Sequence, residues 1–365
     1  MTGVAVVGCG TISHAYLRNL TAFPDIEVIG CADLDVERAT EVAAQYGVPY
    51  AGEPAEIIAR PEVSIVVNLT VPAAHVEVSL AAIRAGKHVY VEKPLALDAE
   101  AGRALLAEAD AAGLRVGCAP DTFLGAGLQT AQRAVADGLI GTPGSAITLL
   151  QGPGPESWHP SPQFLYQRGA GPLFDMGPYY LTALAVLFGP VTRVAANGSR
   201  AHTRRTIGSG PLAGTGFDVE VLTHVSALLE FASGATATSV FSFDSPLPRH
   251  GFVEITGTEA TLAAPDPNTF TGPVRLRRTG SGDWAELPVG GSTAGRGTGV
   301  AEMARALAAG VPHRASGELA LHVLDVMTAI LRSAESAEFV PVTSGFAPVP
   351  PLPDGWDPAV ALPGA

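Results

Sequence analysis

GVAVVGCGTISHAYLRNL, residues 3–20, decides the fold. Val4–Gly8 is a short apolar, valine-rich run, the pattern of a strand buried on both faces. It breaks at Gly8-x-Gly10-x-x-Ser13. Ile12, Ala15, Tyr16, Asn19 and Leu20 then follow at helical spacing. Strand, glycine loop and helix in that order form the phosphate-binding turn of a doubly wound α/β domain. Glycine permits the tight turn and lets a pyrophosphate reach the helix N-terminus. Ser13 stands where Gly or Ala is usual, and it keeps the small size. The loop assigns Gly8, Gly10, Thr11 and Ile12 to a dinucleotide cofactor; a purely structural turn is the bland alternative.

Asp33 ends the next strand-like run, EVIGCAD (27–33). An acid about 20 residues beyond the loop is placed to accept the adenosine ribose hydroxyls, and it repels a 2′-phosphate. Leu34 and Asp35 supply no arginine to reverse that preference, so NAD is expected rather than NADP. Asp33 can also cap the helix starting near Asp35.

The alternation continues. Further strands are expected at 63–70, 87–93 and 114–119, with helices at about 35–46, 73–85 and 98–112. Asp98 reads as an N-cap and Gly113 as a stop. Residues 1–120 therefore form a parallel sheet covered on both faces, a Rossmann domain. Beyond 120 the texture is α+β. Helices are expected at 124–137, 176–188, 299–310 and 318–334. Strands are expected at 191–200, 217–234, 235–244, 251–264 and 273–278, with Ser233-Gly234 as a hairpin turn. This gives a second domain over 121–345 with a large, mostly antiparallel sheet, and a Pro-rich tail over 346–365.

Length and composition agree with two buried cores: 365 residues, 47% hydrophobic and 16% charged. A net charge of −13 without a basic run argues against nucleic acid or an anionic membrane as partner. Three cysteines with no CxxC and no Cys/His cluster argue against a disulfide framework or a metal site. No apolar run approaches the roughly 20 residues that cross a bilayer. A strand starting at Val4 leaves no room for a signal peptide, so a cytoplasmic protein is expected.

Two further segments carry chemistry. VEKPLALD (91–98) places Glu92-Lys93-Pro94 at the carboxyl end of a buried strand, where ligand sites of open parallel sheets lie. Close to a nicotinamide cation and partly desolvated, the Lys93 amine loses proton affinity, which suits proton exchange with an alcohol. NLTVPAAH (68–75) flanks the same crevice, adding Thr70, Pro72, His75 and Glu92 to the expected cofactor contacts. His75 itself reads as a helix-start residue rather than a catalyst. The second segment is GAGPLFDMGPYYLTALAVLFG (169–189). Asp175 and Tyr179 are four apart and Thr182 three further on, so all share one helix face. Gly177-Pro178 is expected in the first turn. Tyr180 turns off that face and reads as core. The bland reading makes Asp175 an N-cap and the tyrosines core residues.

The glycine loop, Asp33, TVPAAH, EKP and the GPLFDMGPYY segment together resemble the glucose–fructose oxidoreductase/inositol dehydrogenase (Gfo/Idh/MocA) family over nearly the whole chain. The resemblance implies a Rossmann domain followed by an α/β domain whose open sheet face makes homodimer or homotetramer contacts. It implies Lys93 as a catalytic residue and a Lys93-Pro94 bond that can be cis. The family motif usually reads Asp, then His four later, then Asp; here Tyr179 and Thr182 replace the last two. Relatives resembling glucose–fructose oxidoreductase share the Tyr. The implied activity is NAD-dependent oxidation or reduction of a secondary hydroxyl of a sugar, cyclitol or sugar derivative, with Lys93, Tyr179 and Asp175 catalytic. In the Pro/Gly-rich loop 152–169, Trp158 offers an apolar face to sugar C–H groups, and His159 and Arg168 can bond hydroxyls. Asp121 follows the last Rossmann strand as a further substrate contact. Two other classes keep the same residues: internally recycled NAD serving elimination or epimerisation, and a non-enzymatic cofactor or sugar sensor.

Overall fold

A computed structural model describes residues 1–361; the last four residues of the tail range lie outside the described residues. The first half follows the strand–helix alternation. In chain order it runs β1 (Thr2–Val7), α1 (Ser13–Leu20), β2 (Ile26–Ala32), α2 (Val36–Tyr46), β3 (Tyr50–Gly52), α3 (Pro54–Ile58), β4 (Ile65–Asn68), α4 (His75–Arg84), β5 (His88–Val91), α5 (Ala99–Ala111) and β6 (Val116–Cys118). The strands pair in parallel in the order β3-β2-β1-β4-β5-β6, so the order reverses at β1. Val4–Val7 and Ile65–Val67 are fully buried, which is why these strands read as continuous apolar runs. Asp98 caps α5 by accepting the Ala101 N–H at 2.8 Å, and Gly113 follows the helix with φ +66°. β3 and α3, three and five residues long, fall below what periodicity can register.

The chain continues through α6 (Ala126–Ala136), β7 (Pro143–Gln151), α7 (Gly171–Phe188), β8 (Val191–Ser199), β9 (Arg204–Thr206), β10 (Gly216–Asp218), β11 (His224–Phe231), β12 (Thr236–Ser242), β13 (Arg249–Gly257), β14 (Ala260–Ala264), β15 (Val274–Arg278), β16 (Ala285–Leu287), α8 (Thr298–Ala309), α9 (Gly317–Ser336) and β17 (Val340–Pro341). Nine strands form one sheet in the order β16-β15-β14-β13-β7-β12-β11-β8-β17. All neighbours are antiparallel except β7 and β12, which run parallel. The β11–β12 hairpin turns at Ser233-Gly234 as expected, with Gly234 at φ +86°. β7, at the centre, is a strand the sequence reading did not single out. α7 packs on β7, β11 and β12, over Ala146, Leu150, Ala227, Leu229, Ala237 and Phe241, all buried. The opposite face carries a cross-strand row, Glu254–Ile147–Thr238–Leu228–Ala195, in which Ile147 and Leu228 are half exposed.

The domain boundaries differ from the 1–120, 121–345 and 346–365 expected. One compact unit comprises Met1–Gln129, Gly290–Leu324 and Val349–Ala365; the other comprises Thr130–Val289 and Asp325–Pro348. Late segments return to the first unit because buried polar groups hold them there. Arg305 bonds Asp25 (2.7 Å) and the carbonyls of Asp357 and Val360. Arg314 bonds Glu302 and the carbonyls of Pro350 and Pro351, and Gln129 accepts the Leu352 N–H at 2.7 Å. The Pro-rich tail is extended but belongs to the Rossmann unit. Among the described residues no helix is long and apolar enough to cross a membrane, and Cys9, Cys31 and Cys118 are unbridged.

Candidate active site

The glycine loop has the shape its chemistry requires. Gly8 sits at φ +98°, and a Cβ there would lie 2.7 Å from the Leu69 carbonyl group, so only glycine closes this turn. Gly10 is different: a Cβ would meet nothing within 4 Å, and Thr11 and Ile12 beside it are exposed. The space before α1 is open and α1 has no side-chain cap, so a ligand anion can approach the helix N-terminus. Ser13 is fully buried and donates its hydroxyl to the Gly10 carbonyl at 2.7 Å. These residues fit a dinucleotide pyrophosphate.

Asp33 is held more tightly than expected. Its Oδ2 accepts the Cys9 N–H at 2.7 Å and Arg38 Nε at 3.2 Å; its Oδ1 accepts the Asp35 N–H at 3.0 Å and Arg38 Nη2 at 2.6 Å. Burial works against the charge, but Arg38 and the two amides hold the carboxyl below its usual range. Two expectations are corrected. The cap of α2 is Asp35, which accepts the Arg38 N–H, not Asp33. An arginine does stand nearby, because the first turn of α2 brings Arg38 back over the end of β2. The Arg38 guanidinium offsets part of the Asp33 charge that repels a 2′-phosphate.

Around Lys93 the strand-end loops are tied together. Lys93-Pro94 is cis and Lys93 is half-buried. Glu92, nearly buried, accepts the Lys93 N–H through Oε2 at 2.9 Å and the Tyr16 hydroxyl through Oε1 at 2.7 Å. Thr70 turns its hydroxyl inward to Asn68 Oδ1 at 2.6 Å, while Pro72 lies exposed at the next turn. His75 corrects its cofactor assignment: it is 1% exposed, with Nδ1 2.7 Å from the Pro94 carbonyl and Nε2 3.0 Å from the Thr70 carbonyl. Its ring is spent on the scaffold. Asp121 corrects the substrate assignment likewise. It is fully buried, its Oδ2 accepts the Gly297 and Gly299 amides at 3.0 Å each, and its Oδ1 lies 3.6 Å from Arg296. Burial raises its carboxyl above the usual range, with Arg296 and the amides opposing. It anchors α8.

In the second unit, α7 begins at Gly171, five residues earlier than expected. Gly171 (φ +87°) would drive a Cβ to 3.0 Å from the Leu222 carbonyl oxygen, and Pro172 occupies the first turn. Pro178 is therefore interior, tolerated because tertiary burial of this apolar helix outweighs local propensity. Asp175 is helical and half-buried, and the α7 cap position is Ala170, so the N-cap explanation of Asp175 falls. Tyr179 and Thr182 are buried on the Asp175 face. Tyr180 is core, as expected: fully buried, edge-on to Phe241, its oxygen accepting the Gly251 N–H at 2.8 Å.

Trp158 is 68% exposed and meets His159 edge-on, and His159 meets Phe164 in turn, both at 5.5 Å between centroids. His159 Nδ1 accepts the Ser161 N–H at 3.0 Å. Arg168 lies apart from this group and lines a cavity of about 770 Å³ with Leu173, Phe174, Arg200, Glu220 and Glu335; neither Asp175 nor Tyr179 lines it. Sequence reasoning missed what anchors the loop. Arg205, almost fully buried, pairs with Glu156 and Asp244, and Tyr166 donates to Glu156. These partners lie far apart in sequence, so no local pattern signals them.

One compositional signal was available. The chain has 20 arginines and two lysines, Lys87 and Lys93. Where arginine serves almost everywhere, an amine marks a place for a compact donor or a removable proton. Lys87 is the first kind, donating to the Arg60 and Val63 carbonyls at 2.8 Å each.

Comparison with known proteins agrees with this geometry. Residues 2–119 match the model described as oxidoreductase family, NAD-binding Rossmann fold, and residues 128–263 match the GFO/IDH/MocA C-terminal domain. The chain belongs to the Gfo/Idh/MocA family. This Gfo/Idh/MocA protein is an oxidoreductase with NAD as cofactor. It is 28% identical over 271 residues to D-apiose dehydrogenase of Paraburkholderia graminis, covering 71% of this chain and 66% of that protein. It is 30% identical over 267 residues to an uncharacterised oxidoreductase of Rhizobium meliloti, covering 72% and 74%. An NAD binding oxidoreductase from Klebsiella pneumoniae superposes with a TM-score of 0.83 at 23% identity, covering 94% of this chain and 99% of that one, which shows the shared fold.

Proposed function

We propose that this protein interconverts a secondary alcohol and a ketone on a sugar, cyclitol or sugar derivative. The observation that carries the reading is a lysine just past the carboxyl end of β5 in the same parallel sheet whose β1 ends in the glycine loop. D-apiose dehydrogenase as a relative supports the sugar-like substrate. Gly8, Gly10, Thr11, Ile12, Asp33, Thr70 and Pro72 are the proposed holders of the cofactor. NAD, when bound, supplies or accepts the hydride. In the oxidising direction the hydroxyl proton passes to Tyr179 or to Lys93. A phenol has an ordinary pKa of about 10, so Tyr179 as acceptor needs its phenolate form favoured toward neutrality. Asp175, one helical turn before Tyr179, orients the substrate or tunes the phenol. Trp158 offers its exposed ring to sugar C–H groups and His159 a nitrogen to a hydroxyl. We also propose a homodimer or homotetramer, with a second copy against the sheet face that exposes Ile147 and Leu228; light scattering of Ile147→Glu tests it.

The experiment mixes purified protein with NAD and a panel of aldoses, anhydrosugars and cyclitols, measuring both NADH and sugar. NADH rising in proportion to sugar oxidised supports a dehydrogenase. Sugar conversion without net NADH moves the reading to internal recycling. Neither change, in folded protein that binds NADH, sinks the catalytic reading and favours a sensor.

A further inference from the structure

The turn carrying Lys93 is gripped from both sides by buried side chains. On one side stands Tyr16, from the helix of the glycine loop and fully buried. Its hydroxyl donates to Glu92 Oε1 at 2.7 Å, and Glu92 Oε2 accepts the Lys93 N–H at 2.9 Å. On the other side stands His75, from the start of α4. Its Nδ1 is 2.7 Å from the Pro94 carbonyl oxygen. The amide before the Lys93 side chain and the carbonyl after the next residue are thus each fixed by a buried partner.

The two grips differ chemically. A neutral imidazole has one N–H, yet both ring nitrogens of His75 face carbonyl oxygens. Burial holds the ring below its ordinary pKa against both carbonyls, so the neutral form is the one to consider. We assign the donor to Nδ1, on the shorter contact toward Pro94. Without the phenol donor on Oε1, Glu92 loses the group that fixes its side chain and offsets its charge one residue from Lys93.

We propose that Tyr16 and His75 are positioning residues for Lys93: through Glu92 and the Pro94 carbonyl they set the orientation and proton affinity of its amine. The inference rests on Lys93 being a reacting amine, as proposed above. The charged and titratable groups around the turn are Glu92, His75 and Lys93 itself, with Tyr90, Asp121 and Arg296 behind Tyr16. No cofactor or substrate contact is assigned to either positioning residue.

The scarcity of lysine makes the test direct. Protein labelled with ε-13C lysine shows two ε-carbon resonances, and Lys87, bound to two carbonyls, is an internal control. In Tyr16→Phe the Lys93 midpoint is expected to rise by about half a unit or more. The acidic limb of the kcat–pH profile moves with it, kcat at neutral pH falls about three- to thirtyfold, and KM stays within about twofold. His75→Leu lowers kcat similarly, and His75→Gln, which keeps an N–H donor, restores most of it. Lys93 titrating as in wild type in both Tyr16→Phe and His75→Leu, each folded and with kcat unchanged, overturns the proposal. If Lys93→Met proves fully active, the functional reading has failed, and the lysine resonance still decides whether Tyr16 and His75 govern its titration.

Discussion

The carboxylate of Asp33 is closed by the guanidinium of Arg38. Both Asp33 oxygens take an Arg38 nitrogen, at 3.2 and 2.6 Å, and each also takes a backbone amide. A carboxylate has about four acceptor positions, so a ribose hydroxyl reaches Asp33 only by displacing Arg38. Arg38→Ala is therefore expected to tighten NADH binding and weaken NADPH binding. The ratio of the two dissociation constants is expected to change by roughly tenfold. Fluorescence titration with each nucleotide measures it, and an unchanged ratio removes Arg38 from selectivity.

The two neighbouring tyrosines of α7 are expected to separate cleanly. Tyr179→Phe loses about ten- to a thousandfold in kcat with little change in melting temperature. Tyr180→Phe keeps its kcat but loses about 1 kcal/mol of stability, because the Gly251 N–H loses its acceptor. Equal kcat losses in both variants would mean that α7 contributes packing rather than chemistry.

The loop carrying Trp158 depends on a buried ion group. Arg205→Ala leaves Glu156 and Asp244 buried without their cation. Breaking such a group costs about 3–5 kcal/mol. Urea unfolding of the second unit's transition reads this, while NADH affinity is expected to stay within about twofold.

How much of this was legible in sequence depends on the range of each interaction. β1, the glycine loop, α5 with its Asp98 cap and the β11–β12 hairpin are local patterns, and they stand where they were read. Arg38 lies beyond the two residues that follow Asp33, yet one helical turn brings it back to the carboxylate. Asp121 and His75 have the residue types of a ligand site, but burial and partners decided otherwise, and their partners lie 176 and 19 residues away. The α7 start was misplaced because Gly177-Pro178 is a stronger local signal than Gly171-Pro172. The return of residues 290–324 and the tail to the first unit rests on Arg305 and Arg314, long-range contacts that leave no periodicity.

Stability should fall in mild acid. Burial pushes the His313 imidazole down to about 4, against its hydrogen bond to the Val116 carbonyl. The unfolded chain titrates near 6.5, so between those values it binds more protons than the folded one. The contribution is fully present above about pH 6.5 and is lost as pH falls toward 4. It amounts to about 2 kcal/mol between pH 6.5 and 5. Buried His75 and half-buried His88 add with the same sign. Urea titrations at pH 7 and 5 test this, and His313→Gln should flatten the difference.

Lys93 is the centre of the account, and absorbance at 340 nm tests it most directly. Wild-type protein and Lys93→Met are compared with NAD and whichever polyol wild type oxidises, after both are shown to bind NADH. The expected result is a loss of about a hundredfold or more in kcat with NADH affinity within about threefold. NAD reduction by Lys93→Met at the wild-type rate would contradict it.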